Sequence, residues 1–432
     1  MTPTHRTMAH TAGMYARWSA SLPLLTALIT AGIALSSGCS SVVTGNAVKS
    51  GGPAPAAANA ALLDPGNYPR RPRPPLGNVA DDAAGHRVEA QRMADMVTGP
   101  WQIDDKLISP TNAEIAPTTA ISDPGRLSVL VRGETIAPIA TAHHFVAGFV
   151  SGRATPPPPK GQADSDNPKI LDNGVLRFPT TQDAADAAAA MGAADLATVR
   201  PGNIWATRLP IPRYPAAVAD VAALSGGFEA ESFTAHGPYV FFQFAGSKES
   251  AAAAADMIAK TLDLQGPSAD HFQATPVDQL ASLPADPTGL LARTVPATEP
   301  SINQSAVYSP HASLHFRSDP IATQAMYNDA GIARVAVDRT TVYEAVDTTG
   351  AQRAADGLVR IDVPFLGYHS APGINGLPSA RCFDRGSDST DLGAVRFLCI
   401  ATAERYAFKA TAAQEVEAHQ VIAAQYLMLT TS

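Results

Sequence analysis

Two stretches of this chain show the same order of sequence patterns at a nearly constant distance. Each reads as a strand, an alanine-rich helix, two strands joined by a turn, and a second helix. Thr348 follows Thr180 by 168 positions, and Tyr406 follows Tyr239 by 167 positions, so the register is nearly the same at both points. This regularity predicts an internal duplication, although alanine-rich helices also resemble one another by chance.

The repeated unit constrains the fold class. Two of its strands are joined by a short turn, and strands joined in this way run antiparallel. Helices that cover one face of such a sheet form an α+β layer. The sequence therefore predicts two related ferredoxin-like α/β-sandwich domains with mainly antiparallel sheets. Prolines interrupt the connecting segment near residue 300, so we place the domains at 79–300 and 301–432.

Capping residues predict where four helices begin. In the first unit, one helix begins near Thr180 or Thr181, and Ser247 caps the next. In the second unit, capping boxes at Thr349–Gln352 and Thr411–Gln414 start the two helices. These positions can be compared directly with the structure.

The amino terminus has the features of an export signal. Residues 1–38 contain no acidic residue, and the apolar run 22–35 is shorter than the roughly 20 residues that cross a bilayer. Cys39 follows small residues as in a bacterial lipobox, except that Ser36 stands where leucine is usual. We expect a signal peptide at 1–38 and a lipidated Cys39. An ordinary cleaved signal is the alternative, and translation could start at Met1 or at Met14.

Composition limits location and partners. Residues 39–78 are rich in Ser, Gly, Ala and Pro, which predicts a disordered tether. The formal net charge of −8 argues against a nucleic-acid partner. Acyl chains on Cys39 would therefore hold the protein on the outer face of the plasma membrane. The predicted partners are that membrane and an unknown ligand or protein of the cell envelope.

The other two cysteines lie close together in the sequence. Cys382 and Cys399 flank a short polar loop between two strand-like runs. In an exported protein, a disulfide across the two strands is the simple outcome. Two buried free thiols are the alternative.

No motif in the chain identifies a reaction. The chain contains no nucleophile elbow, phosphate-binding loop or HExxH zinc motif, and we expect neither a cofactor nor a metal. His236 in a Gly-Pro turn and the nearby Tyr239 are candidate cleft residues, although a structural role is favoured for His236. His311 and His315 have helical spacing but strand-like surroundings, and His419 is expected to be half-buried with its polar atoms satisfied.

Several short motifs resemble those of one protein family, namely RMAD (92–95), GPW (99–101), FTAHGPY (233–239), AHQ (418–420) and AQYL (424–427). The chain is similar over most of its mature length to an uncharacterised family of mycobacterial and related actinobacterial cell-envelope lipoproteins. This resemblance implies a location and an architecture, and no activity.

The sequence leaves three functions open. The first is a non-enzymatic binding or scaffolding module of the envelope, with a cleft between its domains. The second is an envelope hydrolase in which His236 is the base. The third is a lipid or glycolipid carrier, which requires an apolar cavity of several hundred Å³.

Overall fold

A computed structural model describes residues 57–110, 118–156, 168–297, 304–386 and 395–431. The predicted signal peptide and Cys39 lie outside these residues. In the described part of the chain, none of the helices is both long and apolar enough to cross a bilayer.

The first domain is built on a seven-stranded sheet. Its elements, in chain order, are α1 (Asp82–Met93), β1 (Thr119–Ile121), α2 (Gly133–Ala142), β2 (Ala147–Ala154), β3 (Lys169–Arg177), α3 (Thr181–Leu196), β4 (Thr207–Arg208), β5 (Val218–Leu224), β6 (Gly227–His236), β7 (Tyr239–Ser247) and α4 (Ala251–His271). The strands lie in the order β1-β2-β3-β7-β6-β5-β4, and each neighbouring pair is antiparallel.

The second domain has a seven-stranded sheet of its own. Its elements are β8 (Ala306–Tyr308), α5 (Pro310–Ser313), α6 (Pro320–Ala330), β9 (Arg334–Val337), β10 (Thr341–Glu344), α7 (Thr348–Phe365), β11 (His369–Ala371), β12 (Arg381–Asp384), β13 (Phe397–Ala403), β14 (Tyr406–Ala412) and α8 (Glu415–Thr430). The strands lie in the order β11-β12-β13-β14-β10-β9-β8, and each neighbouring pair is again antiparallel.

The two sheets share one topology. Taken from its other edge, the second sheet has the strand order β8-β9-β10-β14-β13-β12-β11. This is the order of the first sheet with seven added to each strand number. Helices α3 and α7 follow equivalent strands, as do α4 and α8. The prediction of two related α+β domains with antiparallel sheets is confirmed. The ferredoxin-like label stays a prediction. The sheet is larger than the repeated unit, because β2, which precedes that unit, pairs with β3, its first strand.

Helices cover both faces of each sheet, whereas the sequence predicted one covered face. In the first domain, Phe241 on β7 packs in the same cluster as Ile258 of α4. The next residue, Phe242, points to the opposite side and packs with Met191 of α3. A strand buried on both faces reads as a nearly continuous apolar run, as residues 239–245 do except at Gln243.

Helix starts in the first domain are partly as predicted. The Thr180 hydroxyl accepts a hydrogen bond from the backbone N–H of Asp183 at 3.0 Å, which confirms this residue as the cap of α3. The prediction of Ser247 as the cap of α4 is wrong, because Ser247 is still paired within β7. Ser250 caps α4 instead.

Helix starts in the second domain differ from both predicted capping boxes. Asp347, and not Thr349, caps α7, and its carboxylate accepts a hydrogen bond from the Gly350 N–H at 2.7 Å. Helix α8 follows Gln414, whose side chain makes no capping hydrogen bond. Both predicted boxes are therefore wrong in detail, although both helices are present.

The change from one domain to the other comes earlier than residue 300. Leu280 packs in the core of the first domain, whereas Leu290 packs in the core of the second. Val295 also contacts the second domain, beside Met428 of α8. The segment just before residue 300 therefore belongs to the second domain.

Residues 57–78 are folded, although the sequence placed them in a disordered tether. Leu63 is buried in the core of the second domain. The Asn59 N–H donates to the Gly376 carbonyl at 2.8 Å, and the Gln420 side chain donates to Asp64 at 3.2 Å. This segment gains enough apolar and polar contacts with the second domain to hold one conformation.

Candidate functional site

The two domains share an apolar core where they meet. Met96 and Phe149 of the first domain belong to the same buried cluster as Tyr308 of the second. The Phe316 ring lies 5.9 Å from the Phe149 ring and 5.1 Å from the Tyr308 ring, measured between centroids. This contact fixes the position of one domain against the other.

His315 adds polar contacts inside this junction. Its Nε2 lies 3.0 Å from the Ala94 carbonyl, so this nitrogen carries the proton and donates. Its Nδ1 lies 2.8 Å from the Ser151 hydroxyl, which must then donate to it. The ring lies between Trp101 and Phe149, and burial lowers the pKa of His315 well below its usual 6.5. Both nitrogens are occupied, so His315 is not available to bind a metal.

A groove opens beside this junction, between α1, the end of α4, and the β8–α5 segment. Its volume is about 790 Å³. The lining residues come from both domains: Gln91, Arg92, Asp95, Met96, Pro267, Ser268, His271, Phe272, Gln273, Val307, Tyr308, Ser309 and Ala312. Apolar side chains and polar groups therefore line one cavity.

Arg92 is the cationic group of the groove, and its position is well defined. Its guanidinium lies 5.4 Å from the centre of the Phe272 ring. It donates to the Thr275 hydroxyl at 2.5 Å, to the Gln273 carbonyl at 3.0 Å and to Glu89 at 2.5 Å. The side chain nevertheless remains 39% exposed. A positioned and partly exposed guanidinium is suited to binding an anionic or carbonyl group.

Buried Glu89 holds this arrangement together. Its carboxylate accepts from Arg177 at 2.6 Å and from the Thr275 N–H at 3.0 Å, in addition to Arg92. The segment that follows α4 is thereby tied to α1. One wall of the groove is consequently built from charged hydrogen bonds, which are stronger than neutral ones.

On the opposite side, Asp95 joins the two domains. The Ser309 hydroxyl donates to Asp95, and the same hydroxyl accepts from the Ala312 N–H at 3.1 Å. His311 Nδ1 lies 3.9 Å from Asp95, beyond hydrogen-bond distance. Ser309 is therefore engaged with a carboxylate and a backbone amide, and no histidine among the described residues makes the contact that activates a serine nucleophile.

The two cleft residues named from the sequence lie elsewhere. His236 Nε2 is 2.7 Å from Asp270, and its ring stacks on Phe241 with the centroids 5.0 Å apart. The His236 side chain is 36% exposed and does not line the groove. Tyr239 is 5% exposed and packs in the core, where burial raises its pKa. Neither residue is brought to the groove.

Comparison with known proteins identifies the family. Residues 76–285 match the N-terminal part, and residues 290–432 the C-terminal part, of the domain of unknown function DUF7373. The chain belongs to the DUF7373 family. A search of curated proteins finds no match. The solved extracellular domain of PknH from Mycobacterium tuberculosis matches with a TM-score of 0.29 and 12% identity, over 44% of this chain and 99% of that chain. That likeness is too low to support a conclusion.

The DUF7373 chain also contains a buried charge cluster that sequence reasoning missed. Arg317 Nη2 donates to both carboxylate oxygens of Asp362, at 2.9 and 3.0 Å, and Lys409 donates at 2.8 Å. Burial opposes ionisation of Asp362, but the charges of Arg317 and Lys409 outweigh it and lower its pKa to about 2. For Lys409, burial and the nearby Arg317 charge lower the pKa to about 8.

Further acids are buried in the first domain of this DUF7373 chain, among them Asp172, Asp195 and Asp220. The Asp172 carboxylate has no hydrogen-bond partner among the described residues, and burial raises its pKa well above 3.8. Arg200 donates to Asp195 at 2.7 Å and to Asp220 at 2.9 Å. Burial, together with the charge of Asp195, raises the pKa of Asp220 to about 7. Neither Asp172 nor Asp220 lines the groove.

The structure joins Cys382 and Cys399 by a disulfide. The two residues face each other in the register of β12 and β13, with their Cα atoms 4.1 Å apart. His419 on α8 is half-buried, as expected. The expectation that its polar atoms are satisfied is wrong for Nε2, which is buried and has no hydrogen-bond partner among the described residues.

Proposed function

We propose that this protein is a non-enzymatic binding module whose ligand occupies the groove between its two domains. The groove itself carries the proposal. Its volume of about 790 Å³ is within the usual range for small-molecule sites, and domain junctions are frequent positions for them.

The lining indicates an amphipathic ligand. Pro267, Val307 and Phe272 offer apolar surface for one part of such a molecule. Arg92 and His271 offer polar groups in the same cavity. We therefore propose a small molecule that combines an apolar part with an anionic or carbonyl group that Arg92 binds.

Binding is favoured over hydrolysis by the contacts of Ser309. Its hydroxyl proton is directed to Asp95, and its oxygen accepts a backbone N–H. His236 pairs with Asp270 and, unlike Ser309, does not line the groove. A hydrolase would need a nucleophile and a base within hydrogen-bond reach of each other.

Extraction of bound molecules tests the groove as the site. Protein purified from its native envelope is extracted with organic solvent, and the extract is analysed by mass spectrometry. Ser268→Trp fills the groove, whereas Ser225→Trp makes the same change in an exposed turn. We expect a molecule that co-purifies with wild type and with Ser225→Trp, and that is lost from Ser268→Trp. Equal amounts in both variants would contradict the proposal, and a lipid in the extract would identify a carrier.

We also propose that lipidated Cys39 holds the protein on the outer face of the plasma membrane. The support is the signal-like segment 1–38, the small residues before Cys39, and the resemblance to actinobacterial envelope lipoproteins. Mass spectrometry of the N-terminal peptide is expected to show two or three acyl chains on Cys39, palmitate among them. Cys39→Ala is expected to release the protein into the medium. An unmodified Cys39 in membrane-bound protein would contradict the proposal.

A further inference from the structure

Three potential metal ligands meet on one face of the second domain's sheet. Cys382 and Cys399 are 4% and 1% exposed, and helix α8 places His419 against them. One ligand atom from each of the three residues lies within 4.8 Å of the other two. Among the described residues this is the one group of three or more His, Cys, Asp or Glu with that spacing.

The environment of His419 points to an additional ligand. Its Nε2 is buried without a hydrogen-bond partner in the described part of the chain. A buried polar atom without a partner is destabilising, so such atoms usually have a function or a ligand. The buried cluster that contains both cysteines, and Ala418 and Ile422 on either side of His419 in the sequence, is apolar.

We propose that reduction of the Cys382–Cys399 disulfide converts these three residues into a Zn²⁺ site. Two thiolates and one imidazole are ligands that Zn²⁺ prefers, at about 2.3 Å for sulfur and 2.0–2.1 Å for nitrogen. Tetrahedral coordination places such ligand atoms about 3.5 Å from one another. The present spacing needs only a small separation of the sulfur atoms once their bond is broken.

A dithiol can supply the electrons and protons that reduce the Cys382–Cys399 disulfide. Two electrons and two protons pass from the dithiol to the protein, the Cys382–Cys399 bond breaks, and the dithiol becomes a cyclic disulfide. Binding of Zn²⁺ then releases the two thiol protons, because thiolates are the ligands. Reoxidation of the thiols releases the metal.

Three protein ligands leave one position of the zinc open. Structural zinc sites usually have four protein ligands, whereas catalytic sites have three and bind water or substrate at the fourth. His419 is the partly exposed member, so the open position lies towards its side of the cluster. The site is separate from the groove, and it depends neither on the proposed ligand nor on the proposed location.

Zinc binding by the full mature chain tests the proposal. Cys39→Ser keeps the third cysteine from contributing, and loss of the disulfide after reduction is verified by thiol counting. Zn²⁺ affinity is measured by competition with a chromophoric chelator, for the oxidised and the reduced protein. His419→Gln removes one ligand, and His369→Gln is the matched control at an exposed position of the same sheet.

We expect one additional Zn²⁺ per chain on reduction. His419→Gln should weaken this binding at least tenfold, because loss of even an outer partner of a ligand costs 10–100-fold. His369→Gln should have no effect. If His419→Gln misfolds, Cys382→Ser and Cys399→Ser test the same site. Each of them should abolish the additional Zn²⁺ binding. Equal zinc binding by oxidised and reduced protein, or by the two histidine variants, would overturn the proposal.

Discussion

Asp362 neutralises two cations inside the second domain. Arg317 and Lys409 both donate to it, and Arg317 also donates to the Tyr343 hydroxyl at 2.6 Å. The sequence contained a signal for this residue: Asp362 continues the helical spacing of the apolar face that includes Ala351. An acid on such a face needs a partner. Helical spacing could not identify the partners, because they lie 45 and 47 residues away in the sequence.

Removal of this carboxylate charge tests the cluster. Asp362→Asn leaves two buried cations without their counter-ion, so we expect the free energy of unfolding to fall by about 3–5 kcal/mol. Asp356→Asn is the matched control on the same helix. Asp356 forms an exposed ion pair with Arg381, and we expect its loss to cost less than about 1 kcal/mol. Urea unfolding measures both values, and similar losses would contradict the account.

Lys409 predicts a specific pH dependence of stability. Its pKa is about 8 in the folded state, and its ordinary value is 10.5. At pH values between these two, the unfolded chain therefore binds more protons than the folded protein. Stability contributed by this residue therefore rises as pH increases, by about 2 kcal/mol between pH 8 and 10. We expect the rise in wild type and in the surface variant Lys260→Met, and its absence in Lys409→Met. A rise that persists in Lys409→Met would show that another group is responsible.

At the scale of elements, helix faces could be predicted better than helix starts. The face of α4 that includes Ala254, Ile258 and Leu262 is buried as its spacing requires. The start of that helix was placed wrongly, because Ser247 and Ser250 are both good caps and the sequence does not show where β7 ends. Pairing with β3 and β6 extends the strand through Ser247, and such long-range pairing decides the boundary.

The cap of α3 gives a test with a close control. Thr180→Ala removes the hydroxyl that accepts the Asp183 N–H, so we expect a loss of about 1 kcal/mol in the free energy of unfolding. Thr181→Ala changes the neighbouring exposed residue, which is already helical, and should alter stability by only a few tenths of a kcal/mol. Chemical denaturation measures both. An equal effect of the two substitutions would contradict the assignment of the cap.

For the whole molecule, the repeat in the sequence indicated two related domains but covered only part of each sheet. The outer strands, such as β4 and β11, are two or three residues long and leave little pattern to recognise. A cleft between the domains was expected, but its lining residues could not be predicted, because α1, the end of α4 and α5 are far apart in sequence. Only tertiary packing brings these segments together.

His315 couples the domains in a way that depends on pH. Its pKa is well below 6.5 in the folded protein, so below pH 6.5 the unfolded chain binds more protons, and this contribution to stability is lost as pH falls. His315→Gln does not titrate. Relative to that variant, wild type should lose stability as pH falls from 7.5 to 5. Unfolding measured across this range gives the difference, and a constant difference would show that His315 is not held neutral.

The proposed ligand site is the groove at the junction between the two domains. A crystal structure of protein purified from its native envelope tests this most directly. We expect electron density for a non-protein molecule in the groove, in contact with Arg92 and with the apolar surface of Pro267 and Val307. A retained molecule bound elsewhere on the protein, with only water in the groove, would contradict it.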